Sequence, residues 1–267
     1  MAVNLDPTRR TAVRRLRNIY EATPDEVRQA GLDWYGKVHD AALNGLRDNP
    51  APGRTIRHAA GVIAAVSPNM DWEKSNIGAF DEISSLSGHQ WDAIRTSARG
   101  KSRSDEARDA LQGLSISKAS DSALMKAHRI WVGGEDFDRV LDRRGAPKTN
   151  SFAHNILNPG QPGPVTVDGR HADIIADSMR KWESSGRGIS SASTKTGKVT
   201  RYEDYENHTR AAARGYGILP HQLQAVVWEQ GKRIERGFDP TRQKGDPRVG
   251  QSYQRRLSEF QAGLGLA

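Results

Sequence analysis

The chain predicts an all-α protein built as two lobes. Apolar residues recur at helical spacing along most of its length, as in Val13, Leu16, Ile19 and Tyr20, and again in Ile56, Ala59, Ala60, Ile63 and Val66. Strand-like alternation is almost absent. At 267 residues and 36% hydrophobic content the chain can bury one large or two small cores, which we read as one compact unit of two lobes.

Thr23-Pro24-Asp25-Glu26 has the form of a helix start, with Thr as N-cap, Pro at the first helical position and acids in the first turn. It leads into Val27, Trp34 and Val38, so the first fifty residues predict two helices closed by Asn49-Pro50-Ala51-Pro52-Gly53. A third helix over Thr55 to Val66 meets the polar break Ser67-Pro68-Asn69, and a fourth runs from Trp72 to Ile83. Residues 99–106 are polar and irregular. A helix resumes near Asp121, buries Leu124, Ala127 and Trp131, and ends at Gly133-Gly134.

From Phe137 a short helix with Val140 and Leu141 is broken at Arg143-Arg144-Gly145-Ala146-Pro147 and restarts at Lys148 with Phe152, Ile156 and Leu157, a hairpin over 137–157. A Pro/Gly loop, a short extended piece from Val165 to Val167 and a helix from Arg170 to Trp182 follow. Residues 184–200, rich in Ser, Gly, Thr and Lys, predict a flexible loop. Helices over Tyr202 to Tyr216 and Pro220 to Ile234 precede a basic, partly ordered tail over 237–267. In domain terms, 1–54 contribute helices to the second lobe, 55–183 form the helical core, and 201–236 complete the fold.

Composition excludes several chemistries. Without cysteine there are no disulfides, thiolate zinc sites or cysteine-ligated iron–sulfur clusters. The histidines show no metal spacing, and no cofactor is expected. No apolar run approaches the roughly 20 residues that span a bilayer, and the Arg-rich start lacks the apolar core of a secretion signal. The expectation is a cytoplasmic protein, or one in the host cytoplasm if phage-encoded. A formal charge of +8 favours a polyanionic partner.

Two stretches carry candidate chemistry. Lys148-Thr149 opens one helix, and Val167-Asp168-Gly169-Arg170-His171 opens the next, with 168 − 148 = 20 residues between amine and acid. Helix starts present backbone N–H groups that gather anions. A fixed carboxylate stabilises positive charge on a sugar carbon, and an amine can attack that carbon. Taken singly, a Lys there is usually solvated and an Asp is usually an N-cap, worth about 1 kcal/mol. Trp72, Trp131, Trp182 and Trp228 sit on apolar stripes and read as core.

This order and spacing resembles the helix-hairpin-helix DNA glycosylase superfamily, in an endonuclease III-like, cluster-free branch of phage type. The resemblance spans about residues 55–182 and includes Val66-Ser67-Pro68-Asn69 with Asn76 after it. It implies a two-lobed fold with flanking helices and an active cleft between the lobes, with Lys148 as nucleophile and Asp168 as carboxylate. Asn69 beside Trp72 would fill the gap left by a flipped base. Arg143, Arg144, Gly145, Thr149, Arg170 and His171 would hold DNA near the site, with Lys195 and Lys198 in the loop. The chain departs from the pattern at Arg144 and Ala146, where glycines are usual, and at His171, displaced by one position. The implied activity is DNA N-glycosylase action, with or without strand-cleaving lyase activity, by a monomer on double-stranded DNA. Base hypermodification on the same scaffold and non-catalytic DNA binding remain open beside it.

Overall fold

The computed structural model describes residues 9–68, 78–98, 102–177, 201–236 and 252–263. Among them every regular element is helical: fourteen α-helices, one 3-10 turn at Ser115–Lys118 and no strand. The chain forms two compact units, one built from residues 35–159 and the other from the segments before Tyr35 and after Pro159.

The unit of residues 35–159, inner in sequence and so called the inner unit, with the other the outer unit, begins with α3 (Trp34–Asp48) and centres on α4 (Ile56–Val66), which is buried from Ala59 to Val66. Its small residues allow close packing on every side. A Cβ added at Gly61 would lie 2.6 Å from Phe137 Cβ, so α9 (Phe137–Val140) docks directly on the α4 backbone. Around α4 stand α5 (Ala79–Ser85), α8 (Asp121–Trp131) and α10 (Pro147–Leu157), and Phe80 meets Trp131 edge-on at 4.9 Å. α6 (Gly88–Ser97) and α7 (Asp105–Ala110) complete this unit. The end of the stretch expected to be irregular, 105–106, instead opens α7, because Ser104 accepts a hydrogen bond from the Ala107 N–H and caps it.

In the outer unit α1 (Arg9–Glu21) and α2 (Asp25–Leu32) pack with α11 (Gly169–Ala176), α12 (Arg201–Ala213), α13 (Pro220–Arg236) and α14 (Tyr253–Gly263). The helix expected to run from Asp25 past Val38 is broken at Asp33, whose carboxylate accepts from the Gln29 side chain at 3.0 Å and whose N–H caps the end of α2. α13 is the central helix, and Gly31 of α2 lies so close that a Cβ would fall 2.6 Å from the Val226 backbone. The expected basic tail contains α14, which buries Tyr253 and Leu257 in the core. Asp177, in the left-handed conformation (φ 57°), ends α11 and accepts from the Ser252 hydroxyl and the Gln254 N–H, each at 2.9 Å.

Candidate active site around Asp168

The outer-unit site is built on the extended piece 165–167. Its backbone groups find helix side chains in place of a neighbouring strand. The Tyr202 hydroxyl donates to Val165 O (2.8 Å) and accepts from Val167 N (3.0 Å), while Glu206, one turn along α12, accepts from Val165 N at 2.8 Å. Held this way, the chain delivers Asp168 to the N-cap of α11.

Both oxygens of the half-buried Asp168 carboxylate accept hydrogen bonds. Oδ1 takes the His171 N–H at 2.8 Å, the N-cap bond. Oδ2 takes the Trp228 indole N–H from α13, also at 2.8 Å. Over the same indole lie the Arg170 guanidinium (5.0 Å from the centroid) and the Lys232 ammonium (4.4 Å), and Lys232 pairs with Glu229 at 2.8 Å. Trp228 is buried as expected for a core residue, but its polar edge belongs to the site.

His171 does not belong to a DNA-facing surface. Its ring is fully buried, with Nε2 2.8 Å from the Thr209 hydroxyl oxygen. That hydroxyl spends its own proton on Tyr205 O at 2.8 Å, so His171 Nε2–H is the donor and Nδ1 carries a bare lone pair with no partner. Burial pushes the imidazole down to about 4, against an opposing pull from the Asp168 charge. As the third residue of α11, His171 serves the core because its place on the helix points inward.

Lys148 occupies the second position of α10, behind Pro147, in the inner unit. It is half-buried and makes no hydrogen bond or ion pair among the described residues. Thr149 is nearly buried and donates to Ala146 O at 3.1 Å. Arg143, Arg144 and Gly145 are exposed on the hairpin turn. Asp142 closes that turn: its carbonyl accepts from Gly145 N and Ala146 N (3.1 and 2.7 Å), and its carboxylate from Arg144 N (3.3 Å). Neither Arg144 nor Ala146 adopts a left-handed φ, which explains how the hairpin tolerates them where glycines are usual. Asn69, Trp72, Asn76, Lys195 and Lys198 lie outside the described residues.

Sequence reasoning missed the network that anchors the hairpin. Arg57 of α4 makes a two-pronged bond to Asp136 (2.6 and 2.8 Å) and reaches Asp138 at 2.6 Å, with its guanidinium 4.4 Å over the Phe137 ring. Asp138 also accepts from Asn150 (2.8 Å) and lies 2.7 Å from His154 Nε2. The Arg57 hydrogen bonds hold the Asp136 carboxyl below its ordinary range. Burial works the other way on Asp138, but the bonds from Asn150, His154 and Arg57 outweigh it. The sequence signal was the Asp136-Phe137-Asp138 triplet at a helix start, where one acid caps and the other is left to pair.

An open polar hollow lined by Arg103, Arg108 and Lys118 lies in the inner unit. Among the described residues no three His, Asp or Glu side chains gather as a metal site, and no helix is long and apolar enough to cross a membrane.

The structure defines an all-helical protein with a capped, doubly bonded carboxylate at a helix start. Residues 2–233 match a family of unknown function, DUF7178, and the chain belongs to that family. No curated protein and no solved structure matches it.

Proposed function

We propose that the protein cleaves the N-glycosidic bond of a flipped nucleotide in double-stranded DNA, with Asp168 stabilising the positive charge that grows on the sugar. The observation that carries this reading is the carboxylate held by two N–H donors from two different helices. A carboxylate has about four lone-pair positions, and two hydrogen bonds leave others to face a reacting carbon. Such preorganised charge is the main source of catalysis where an oxocarbenium-like centre develops. The net charge of +8 suits a polyanionic substrate. Lys148, at a helix start and without an ion pair among the described residues, is the amine assigned to the lyase step, with the exposed Arg143 and Arg144 contacting phosphate.

A panel of duplexes carrying damaged and modified bases tests the reading. Asp168→Asn keeps DNA affinity and loses most base release. Borohydride traps a covalent complex that Lys148→Ala abolishes, and trapping unaltered in that variant removes the lysine from the mechanism. One observation favours a second reading, non-catalytic DNA binding: both Asp168 oxygens already serve the fold, one as N-cap and one as indole acceptor. That reading predicts salt-dependent binding with no base released from any duplex.

A further inference from the structure

A buried indole needs a partner for its N–H. Trp228 finds one on another helix, in the Asp168 carboxylate. Oδ1 is tied to the first turn of α11, the helix that Asp168 itself caps, and this bond alone leaves the carboxylate free to swing about it. The second bond comes from α13, so the carboxylate plane is set by two elements instead of one. Arg170 and Lys232 over the ring draw on its π electrons, which makes the N–H at its edge a stronger donor. Gly231 brings this stretch of α13 against α11, where a Cβ would lie 2.7 Å from the Ile174 side chain, so the two helices that carry donor and acceptor approach closely here.

We infer that Trp228 is the positioning residue for the Asp168 carboxylate, fixing the plane in which that group faces the sugar. This inference rests on the reading of Asp168 as the reacting carboxylate. Trp228 itself touches no reacting atom; it acts through the acid it holds. Its substitution therefore lowers turnover and leaves substrate affinity alone.

The experiment replaces Trp228 in the full chain with benzothienylalanine, an isostere in which sulfur stands where the indole N–H was. Base release is measured on whichever duplex the wild-type protein processes. Turnover falls by about tenfold or more, the scale of a hydrogen bond to a charged group, while KM stays unchanged and the protein remains folded at the assay temperature. 5-Fluorotryptophan at the same position, which keeps the N–H, restores the rate. In parallel, the Trp228 indole proton resonance, identified by its absence from the isostere, lies far downfield and moves upfield in Asp168→Asn. Wild-type turnover in the isostere overturns the inference, as does an indole resonance indifferent to Asp168→Asn. If the wild-type protein releases no base from any duplex, the glycosylase reading falls. A resonance that still moves in Asp168→Asn then leaves the hydrogen bond standing and the catalytic assignment overturned.

Discussion

Lowering the pH should loosen the outer unit through His171. The imidazole is fully enclosed, and among the described residues its one hydrogen bond is the Nε2–H donated to Thr209. A second proton would have to sit on Nδ1, which has no acceptor, and would place a charge inside the core. The native ring thus resists protonation down to about 4, whereas the unfolded chain takes the proton near 6.5. Between those values the unfolded state binds more protons than the native one, so stability is complete above 6.5 and drains away as pH falls towards 4. The full loss amounts to about 3 kcal/mol, a sizeable share of the 5–15 kcal/mol typical of a folded domain.

Denaturant unfolding at pH 7 and pH 5, followed by a probe in the outer unit, measures the effect, with His171→Gln as the reference that cannot titrate. The wild-type protein loses about 2 kcal/mol more than the variant over that interval, although the variant is the less stable of the two at pH 7. Acid-range carboxylates such as Asp136 and Asp138 are common to both proteins and cancel in the comparison. A histidine ring resonance that stays neutral down to about pH 4, with nitrogen shifts of the Nε2–H tautomer, reports the same group directly. Parallel pH dependences in the two proteins, or a His171 resonance titrating near 6.5, would refute the reasoning.

Two other substitutions probe the scaffold. Gly61→Val forces a side chain into the space held by Phe137 Cβ, which a Cβ would approach to 2.6 Å, and should cost the inner unit about 1–3 kcal/mol in denaturant unfolding. Asp177→Ala removes the acceptor for Ser252 and Gln254 while keeping a side chain at φ 57°; amide exchange in α14 should then accelerate by about tenfold or more, with α4 amides unaffected.

Helical periodicity made the all-α class legible, because a helix that buries one stripe writes that stripe into the sequence. The same logic located α4, α8, α10 and α13. It failed where a helix is held by polar bonds instead of an apolar face. α7 depends on the Ser104 cap, and α14 depends on Asp177 together with two buried side chains, Tyr253 and Leu257, in an otherwise basic tail. At the candidate site, Asp168 and its capping role were readable from local spacing alone. Its second donor was not, because Trp228 lies 60 residues away and its apolar neighbours disguise the one edge that carries an N–H. His171 was misplaced for a related reason: one residue of displacement along α11 turns a side chain by about 100° around the helix, enough to exchange the surface for the core.

That displacement also bears on what Asp168 can do. A capping aspartate serves its own turn with one oxygen and leaves the other to solvent. Here the other oxygen is claimed by an indole on the central helix of the unit, and that indole carries two cations on its ring. That bond satisfies a buried indole N–H and adds to the N-cap bond, which alone provides about 1 kcal/mol. It also fixes direction: a negative charge whose position is set by two helices, at a helix start, on a protein of net charge +8. Pure capping has no use for a fixed plane, whereas on the proposed reading a developing cation on a sugar ring does, and this difference makes the carboxylate the most informative group in the molecule to alter.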